Sequence, residues 1–126
     1  MDLNEISSEV ISAAVAVHKE LGPGLLESVY QSCMIVELYQ RGVSFESEVA
    51  IPVLYRGIKV NEEGFRLDLL VEKSVIVELK SVEKLMPVHH KQLLTYLRLA
   101  NKPLGLLINF NANKLVDGIA RIVNNM

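Results

Sequence analysis

Two carboxylates and a lysine in the middle of the sequence have the types and spacing that could support chemistry. Asp68 lies in one strand-like run (Phe65–Val71), Glu78 lies in the next (Val75–Leu79), and Lys80 follows directly. Because side chains alternate along a strand, Glu78 and Lys80 share one face. If the three residues between the runs form a hairpin loop, Asp68 lies opposite Glu78, with the Cβ atoms about 5 Å apart.

Such a carboxylate pair is costly and needs a cation. At that spacing two negative charges repel by roughly 3 kcal/mol for an effective dielectric constant of about 20. The strand around Glu78 is apolar on both faces, so the acids need compensation. Lys80 supplies one positive charge, and a divalent metal would supply more, with oxygen ligands favouring Mg²⁺ or Mn²⁺. The alternative is a solvated Glu-Lys pair at a strand end, and these residues alone leave both interpretations open.

Two helices are predicted before these strands. Apolar residues recur at helical spacing from about Asn4 to Leu21, and Asn4 or Ser7 is the expected N-cap. The segment Gly22-Pro23-Gly24 ends this helix. A second helix is expected from about Leu25 to Arg41. Its predicted apolar stripe consists of Leu26, Val29, Tyr30, Cys33 and Val36.

The rest of the chain alternates between predicted strands and one more helix. A strand covers Glu46–Leu54, and Tyr55–Val60 either continues it or returns from it. The segments after Lys80 are a third helix over about Val88–Ala100, a strand buried on both faces over Leu104–Phe110, and a tail, Lys114–Val123, that fits helix or strand. This order predicts a single mixed α/β domain over residues 1–126, with a central mixed sheet flanked by helices.

Two motifs carry a resemblance to a known family. Asp68 with Glu78-Leu79-Lys80 resembles the PD-(D/E)XK nuclease signature, although Leu67 stands where that signature has proline. Gly24-Leu25-Leu26-Glu27-Ser28-Val29-Tyr30 is similar to the motif that names the GxxExxY family of the same superfamily. Segments 21–24, 92–97 and 105–110 also look like that family. The resemblance implies the core order αβββαβ and covers nearly the whole chain.

The chemistry of these residues and the resemblance together give each a role. Asp68 and Glu78 would hold the metal, with the Leu79 carbonyl as a further ligand. Lys80 would orient a water molecule or neutralise charge developing on phosphorus. The resemblance makes Glu27 a third acid of the site, and the alternative is a first-turn glutamate favoured by the helix dipole.

Four further residues have weaker assignments. Tyr30 either bonds Glu27 or packs. Gln92 and Tyr96 share a helix face, and their spacing resembles that of recombination-type exonucleases of the superfamily. By that resemblance Gln92 would contact Lys80, a ligand water or a phosphate; otherwise it is a polar residue on a core helix. His89 either touches phosphate or is a solvated helix-end histidine.

The charge distribution bears on the choice of partner. The chain of 126 residues has 15 acids, 13 bases and net charge −2, so it lacks the strongly basic field of most nucleic-acid binders. From Met1 to Glu48 there are eight acids and two bases, whereas Lys80 to Lys102 has five bases and one acid. Lys84, Lys91 and Arg98 therefore form either a nucleic-acid-binding face or an ordinary solvated surface.

Composition limits the remaining possibilities. Hydrophobic residues make up 50% of the chain, enough for a core, but no apolar run approaches the roughly 20 residues of a membrane span. The single cysteine, Cys33, is expected in the core, and the absence of a visible secretory signal predicts a cytoplasmic location. The leading hypothesis is a metal-dependent phosphodiesterase (nuclease) acting on nucleic acid, with DNA favoured over RNA. The first rival is a nuclease-fold protein that no longer cuts and serves as a binding or assembly subunit. The second rival is a structural homo-oligomer with an inherited, solvated site.

Overall fold

Three helices, five strands and a short 3-10 helix follow one another along residues 1–125, which the computed structural model describes. At Glu63 only the backbone is described. The elements are α1 (Leu3–Leu21), α2 (Glu27–Gln40), β1 (Phe45–Tyr55), β2 (Ile58–Val71), β3 (Val75–Lys80), α3 (Pro87–Ala100), β4 (Leu104–Asn109), the 3-10 helix Leu115–Gly118 and β5 (Ile119–Val123). The predicted core order, helix, three strands, helix and strand, is present with one extra helix before it and one extra strand after it.

The strands form one mixed sheet in the order β1-β2-β3-β4-β5. Only β3 and β4 run parallel, and α3 connects them as the crossover that parallel neighbours require. Helices α1 and α2 pack on one face of the sheet over one apolar cluster, and α3 packs on the other face over a second. The predicted fold class, a central mixed sheet flanked by helices, is confirmed.

The two hairpins have the turns that the sequence allows. Val71 pairs with Val75 and Leu69 with Val77, so the predicted three-residue loop and its register are confirmed. The open question about segment 55–60 is resolved as a return, because Tyr55 pairs with Ile58. Arg56 and Gly57, the two residues of that turn, have φ values of 51° and 79°, as a type I′ turn requires.

The cap of α1 differs from the prediction. The helix begins at Leu3, so neither Asn4 nor Ser7 can be its N-cap. Asp2 caps it instead: the Glu5 N–H donates to Asp2 Oδ1 at 2.8 Å, and the Asp2 N–H donates to Glu5 Oε1 at 3.4 Å. Asn4 and Ser7 already lie within the helix, so the residue before it, Asp2, is the one placed to form this reciprocal pair.

The predicted apolar stripe of α2 is wrong for most of its members. The buried face of α2 consists of Tyr30, Met34 and Leu38, whereas Leu26, Val29 and Val36 are exposed and Cys33 is only half-buried. The helix has apolar residues on two faces, so periodicity alone could not decide which face meets the sheet. The core selects the face that carries Tyr30.

The ends of the remaining elements differ little from prediction. The tail that fitted helix or strand is first a 3-10 helix and then strand β5, which pairs antiparallel with β4. Within α3 only Leu93 and Leu97 are fully buried, and Leu99 is exposed. Among the described residues, no helix combines the length and apolar character needed to cross a membrane.

Candidate functional site

The Asp68 and Glu78 carboxylates are held together by two backbone N–H groups. The Asp68 N–H donates to Glu78 Oε2 at 2.9 Å, and the Leu79 N–H donates to Asp68 Oδ2 at 2.8 Å. Each carboxylate therefore bonds the backbone of the other strand. The predicted cross-strand neighbourhood is present, and each carboxylate keeps its second oxygen, Oδ1 or Oε1, out of these bonds.

A change of face in β1 and β2 makes this arrangement possible. Leu67 packs in the cluster under α3, whereas Leu69, two residues on, packs in the cluster under α1 and α2. On β1, Val49 and Phe45 divide between the same two clusters. Regular alternation would put residues two apart on one face, so both strands switch faces around Asp68. The backbone pairing of β2 with β3 extends as far as Leu69, and the next N–H group, that of Asp68, bonds a carboxylate instead.

Burial dominates the electrostatics of the pair. Burial first, and then the neighbouring Asp68 carboxylate, raise the pKa of Glu78 to about 8, against the lowering effects of the Asp68 N–H and of Lys80. Burial also raises the pKa of Asp68, while the Leu79 N–H and the charge of Lys80 lower it. Glu78 consequently holds a proton near neutral pH, which relieves the repulsion expected between two ionised carboxylates.

Lys80 and Glu27 act on the pair with charges of opposite sign. Lys80 is half-buried, and its charge lowers the pKa of both carboxyls, although it forms no ion pair within 4.0 Å among the described side chains. Glu27 is the exposed first residue of α2, and its charge raises the pKa of Asp68. The Ser81 hydroxyl donates to the Leu25 carbonyl, which ties the start of α2 to the end of β3.

Tyr30 shapes the loop that leads to Glu27. Its hydroxyl donates to the Gly22 carbonyl at 2.6 Å and accepts from the Leu25 N–H at 3.1 Å. Its ring stacks on Phe110 with a centroid distance of 4.5 Å. Of the two readings of Tyr30, the structure therefore shows packing, with a polar tip that fixes the loop.

Glu48 and Gln31 belong to this site, and the sequence analysis missed them. Gln31 Nε2 donates to Glu48 Oε1 at 2.9 Å and to the Asp68 carbonyl at 3.2 Å. The charge of Glu48 raises the pKa of both Asp68 and Glu78. Glu48 has a φ of 52°, unusual for a residue other than glycine. Its position opposite Asp68 follows from the strand pairing, which a search for short motifs does not detect.

The residues predicted on α3 fall into two groups. Tyr96 lies near the carboxylates: burial raises its pKa, and the charges of Glu78 and Asp68 raise it further. Its ring stacks on Phe65 at 4.2 Å. Gln92, one turn earlier, is exposed, and no hydrogen bond joins it to Lys80 within the described chain. His89 Nδ1 accepts from the Met86 N–H at 2.9 Å, so one ring nitrogen caps its own helix.

The basic residues predicted to bind nucleic acid are exposed. Lys91 and Arg98 lie seven residues apart on α3 and so share a face of that helix. Lys84 lies in the segment between β3 and α3. None of the three forms an ion pair with a side chain that the structure describes. Their charges are therefore available to an anionic partner.

The relationship of this chain to known proteins follows from its match to a protein family. A family model of the PD-(D/E)XK nuclease superfamily matches residues 4–122. The chain belongs to this superfamily. No curated protein and no solved structure matches the chain.

Membership in the PD-(D/E)XK superfamily raises the question whether the carboxylate pair could hold a divalent metal ion. Its members usually use divalent metals, and the residues here fit such an ion in part. Asp68 Oδ1, Glu78 Oε1 and the Leu79 carbonyl are hard oxygen donors of the kind that Mg²⁺ and Mn²⁺ prefer. Among the side chains that the structure describes, no three His, Cys, Asp or Glu are grouped to hold an ion. Two carboxylates with water and phosphate oxygens are, however, the usual surroundings of Mg²⁺.

Proposed function

We propose that the protein is a Mg²⁺- or Mn²⁺-dependent phosphodiesterase that cleaves nucleic acid, with DNA as its substrate. Its PD-(D/E)XK superfamily membership supports a nuclease-type function. The observation that carries the proposal is the pairing of a buried carboxyl, Glu78, with a half-buried one, Asp68, beside Lys80. A fold that only needed solubility would gain nothing from withdrawing two neighbouring acids from water, because each gives up part of its hydration.

The residues of the site divide the work of phosphodiester hydrolysis among them. Asp68 and Glu78, with the Leu79 carbonyl, would hold the ion, whose chemistry is to polarise a phosphate oxygen and acidify a bound water. Lys80 Nζ would donate a hydrogen bond to the attacking water or to the phosphate oxygen on which charge develops. Glu78 would lose its proton as the ion binds, because a carboxylate must be ionised to act as a ligand.

Other residues would position the substrate and the ligands. Glu27, at the start of α2, would act on the ion through water or position Lys80. Gln92 and Tyr96 would contact a phosphate or a ligand water, and His89 would offer its Nε2 atom to phosphate. Lys84, Lys91 and Arg98 would bind the phosphate backbone outside the site. We also infer that the chain is a GxxExxY protein of one domain, on the basis of the motif over residues 24–30 and its place before the site.

A cleavage assay with one lysine variant tests the proposal. Labelled single- and double-stranded DNA and RNA are incubated with the protein in Mg²⁺, in Mn²⁺ and in a chelator. We expect metal-dependent cleavage of DNA that Lys80→Met reduces by at least about 100-fold, within the range for removal of one stabilising donor. Lys73→Met, in the exposed β2–β3 turn, is the matched control and should cleave like the wild type.

The same assay separates two of the functions that the sequence left open. If Lys80→Met cleaves within a few-fold of wild type, Lys80 only balances charge and the mechanism is wrong. DNA binding without cleavage in either metal would instead support the non-cleaving binding or assembly subunit.

A further inference from the structure

Side chains bond both main-chain polar groups of Asp68. The Asp68 N–H donates to Glu78 Oε2 at 2.9 Å, and the Asp68 carbonyl accepts from Gln31 Nε2 at 3.2 Å. In a regular sheet the neighbouring strands hold such groups through the backbone ladder. Asp68 lies where β2 changes face and where its pairing with β3 has ended, so two side chains supply hydrogen bonds at this point.

The Gln31 amide uses both of its N–H donors here. Nε2 donates to Glu48 Oε1 at 2.9 Å as well as to the Asp68 carbonyl. A carboxylate and a carbonyl can only accept hydrogen bonds, so the amide nitrogen must face them, and an ionised glutamate in this position could make neither bond. Gln31 lies one turn after Glu27 on α2, so it joins the helix that carries this acid to strands β1 and β2.

Glu48 is held at both its backbone and its side chain. The strand register places it opposite Asp68 across β1 and β2. Its φ of 52° is one that residues other than glycine seldom adopt, and Arg66 Nη1 donates to its carbonyl at 3.2 Å. Gln31 bonds the carboxylate, which places a negative charge close to the carboxyls of Asp68 and Glu78. Without a cation this charge opposes ionisation of both carboxyls, whereas it attracts a cation to them.

We propose that Gln31 is the positioning residue of the carboxylate site, and that its amide holds Asp68 and Glu48 in the arrangement that receives a divalent cation. The inference rests on the proposed metal-dependent function and deepens it. Gln31 need not touch the ion, because it bonds the main chain of one proposed ligand and the side chain of an acid beside it. Such partners orient the carboxylates that bind metals, and their removal commonly lowers metal affinity or activity by about 10- to 100-fold.

A role in stability alone is the alternative. Gln31 ties α2 to two strands, so its removal would weaken the fold in either case. The two roles differ in what happens to the molecules that remain folded. The loss of a purely structural tie lowers the melting temperature and leaves metal affinity unchanged, whereas the loss of a positioning residue lowers metal affinity as well.

Amide hydrogen exchange measured by NMR in chelator tests the positioning without any metal. Gln31→Met keeps the length of the side chain and removes both donors. We expect the Leu79 N–H, which bonds Asp68 Oδ2, to exchange at least about tenfold faster in this variant. The Leu106 N–H in the middle of β4 is the internal reference and should exchange at the wild-type rate. Gln40→Met, at the exposed end of α2, is the matched control.

Calorimetric titration with Mn²⁺, in the absence of nucleic acid, tests the link to the cation. We expect Gln31→Met to raise the Kd by about 10- to 100-fold. Gln31→Glu would tighten Mn²⁺ binding if charge alone mattered, whereas its loss of both donors should weaken binding if position matters. Gln40→Glu adds the same charge elsewhere on α2 and should bind like the wild type. Combining Gln31→Glu with Glu48→Gln exchanges donor and acceptor at unchanged net charge, and should recover part of the affinity.

The outcomes distinguish a failure of this inference from a failure of the proposed function. Suppose that the wild type binds Mn²⁺, but that Gln31→Met binds it equally well, that Gln31→Glu binds it more tightly, or that the Leu79 exchange rate is unchanged. Any of these results overturns the role of Gln31 and leaves the metal-dependent function standing. A wild type that binds neither Mn²⁺ nor Mg²⁺ overturns both. Thermal melts in chelator check that each variant compared is folded.

Discussion

At the scale of single residues, the carboxylate pair is a compromise between folding and function. Asp68 and Glu78 are kept close by two backbone N–H groups, although burial and their mutual repulsion disfavour ionisation of both. Lys80 contributes opposing charge without an ion pair among the described residues. Residues that destabilise a fold in this way are typical of sites selected for chemistry.

Removing either carboxylate should abolish the response to metal. We expect a Mg²⁺ or Mn²⁺ concentration about 100 times the Kd to stabilise the wild type by about 2.7 kcal/mol. Asp68→Asn and Glu78→Gln should lose that stabilisation and, in chelator, melt at or above the wild-type temperature, because a neutral amide avoids the cost of withdrawing a carboxylate charge from water. Thermal melts with and without metal measure both effects. Asp117→Asn, an exposed control, should respond like the wild type, and a wild type indifferent to both metals would contradict the metal site.

The raised pKa of Glu78 predicts that the folded protein becomes less stable as the pH rises. The ordinary pKa of this carboxyl is 4.5, and in the folded protein it is about 8. At pH values between the two, Glu78 has lost its proton in the unfolded chain but still holds it in the folded chain. The free energy of unfolding should therefore decrease across this window, by up to about 1.4 kcal/mol per pH unit. The contribution is complete below pH 4.5 and is lost by about pH 8. Glu78→Gln should lack this slope. Urea titrations in chelator across the window measure it, and parallel curves for the two proteins would refute the assignment.

At the scale of elements, the start of α2 depends on loop contacts made outside the helix. The Tyr30 hydroxyl bonds Gly22 and Leu25, and Ser81 bonds Leu25, so Glu27 begins a helix whose approach is fixed at two points. Gln31, one turn into the helix, joins Glu48 of β1 to Asp68 of β2. The helix, the two strands and the site are thus connected through a few polar side chains.

A conservative change at Tyr30 measures how much this loop depends on one hydroxyl. Tyr30→Phe keeps the ring that stacks on Phe110 but leaves the Gly22 carbonyl and the Leu25 N–H without their partner. We expect a loss of about 1–3 kcal/mol in the free energy of unfolding, the usual net contribution of two hydrogen bonds at about 0.5–1.5 kcal/mol each. Tyr39→Phe, on the exposed side of α2, should change it by less than about 0.5 kcal/mol. Equal stabilities of the two variants in urea titrations would show that the loop does not need the hydroxyl.

At the scale of the whole molecule, the uneven charge explains how a chain of net charge −2 could bind a polyanion. The segment from Lys80 to Lys102 has five bases and one acid, and its Lys84, Lys91 and Arg98 side chains are exposed. Helices α1 and α2 carry most of the acids of the first 48 residues and pack on the opposite face of the sheet from α3. The sheet thus separates an acidic side from a basic one.

Salt dependence of DNA binding tests the basic side. Reversing Lys84, Lys91 and Arg98 to glutamate should weaken binding to a labelled duplex and flatten the slope of log affinity against log salt by up to about 3. Affinity is measured in Ca²⁺ to suppress cleavage. A triple reversal of Lys19, Lys73 and Lys114, exposed lysines elsewhere, makes the same change in net charge and should have a small effect. Equal effects of the two triple variants would eliminate α3 as the binding face.

The sequence by itself determined the strands that carry Asp68 and Glu78, their register and the fold class. These follow from short-range physics: a three-residue loop fixes which residues face each other, and apolar periodicity sets helix and strand. The N-cap of α1 was predicted two to five residues too late, because several polar residues near a helix start can serve as caps.

Only the tertiary structure decided the surroundings of the site and the orientation of α2. Glu48 meets Asp68 because β1 pairs with β2, and Gln31 reaches both because α2 packs beside that pair. The choice of Tyr30, Met34 and Leu38 as the buried face of α2 was equally a matter of long-range fit. Both faces of that helix have apolar residues at helical spacing. The spacing is a property of the local sequence, so it cannot show which of the two faces fits the surface of the sheet.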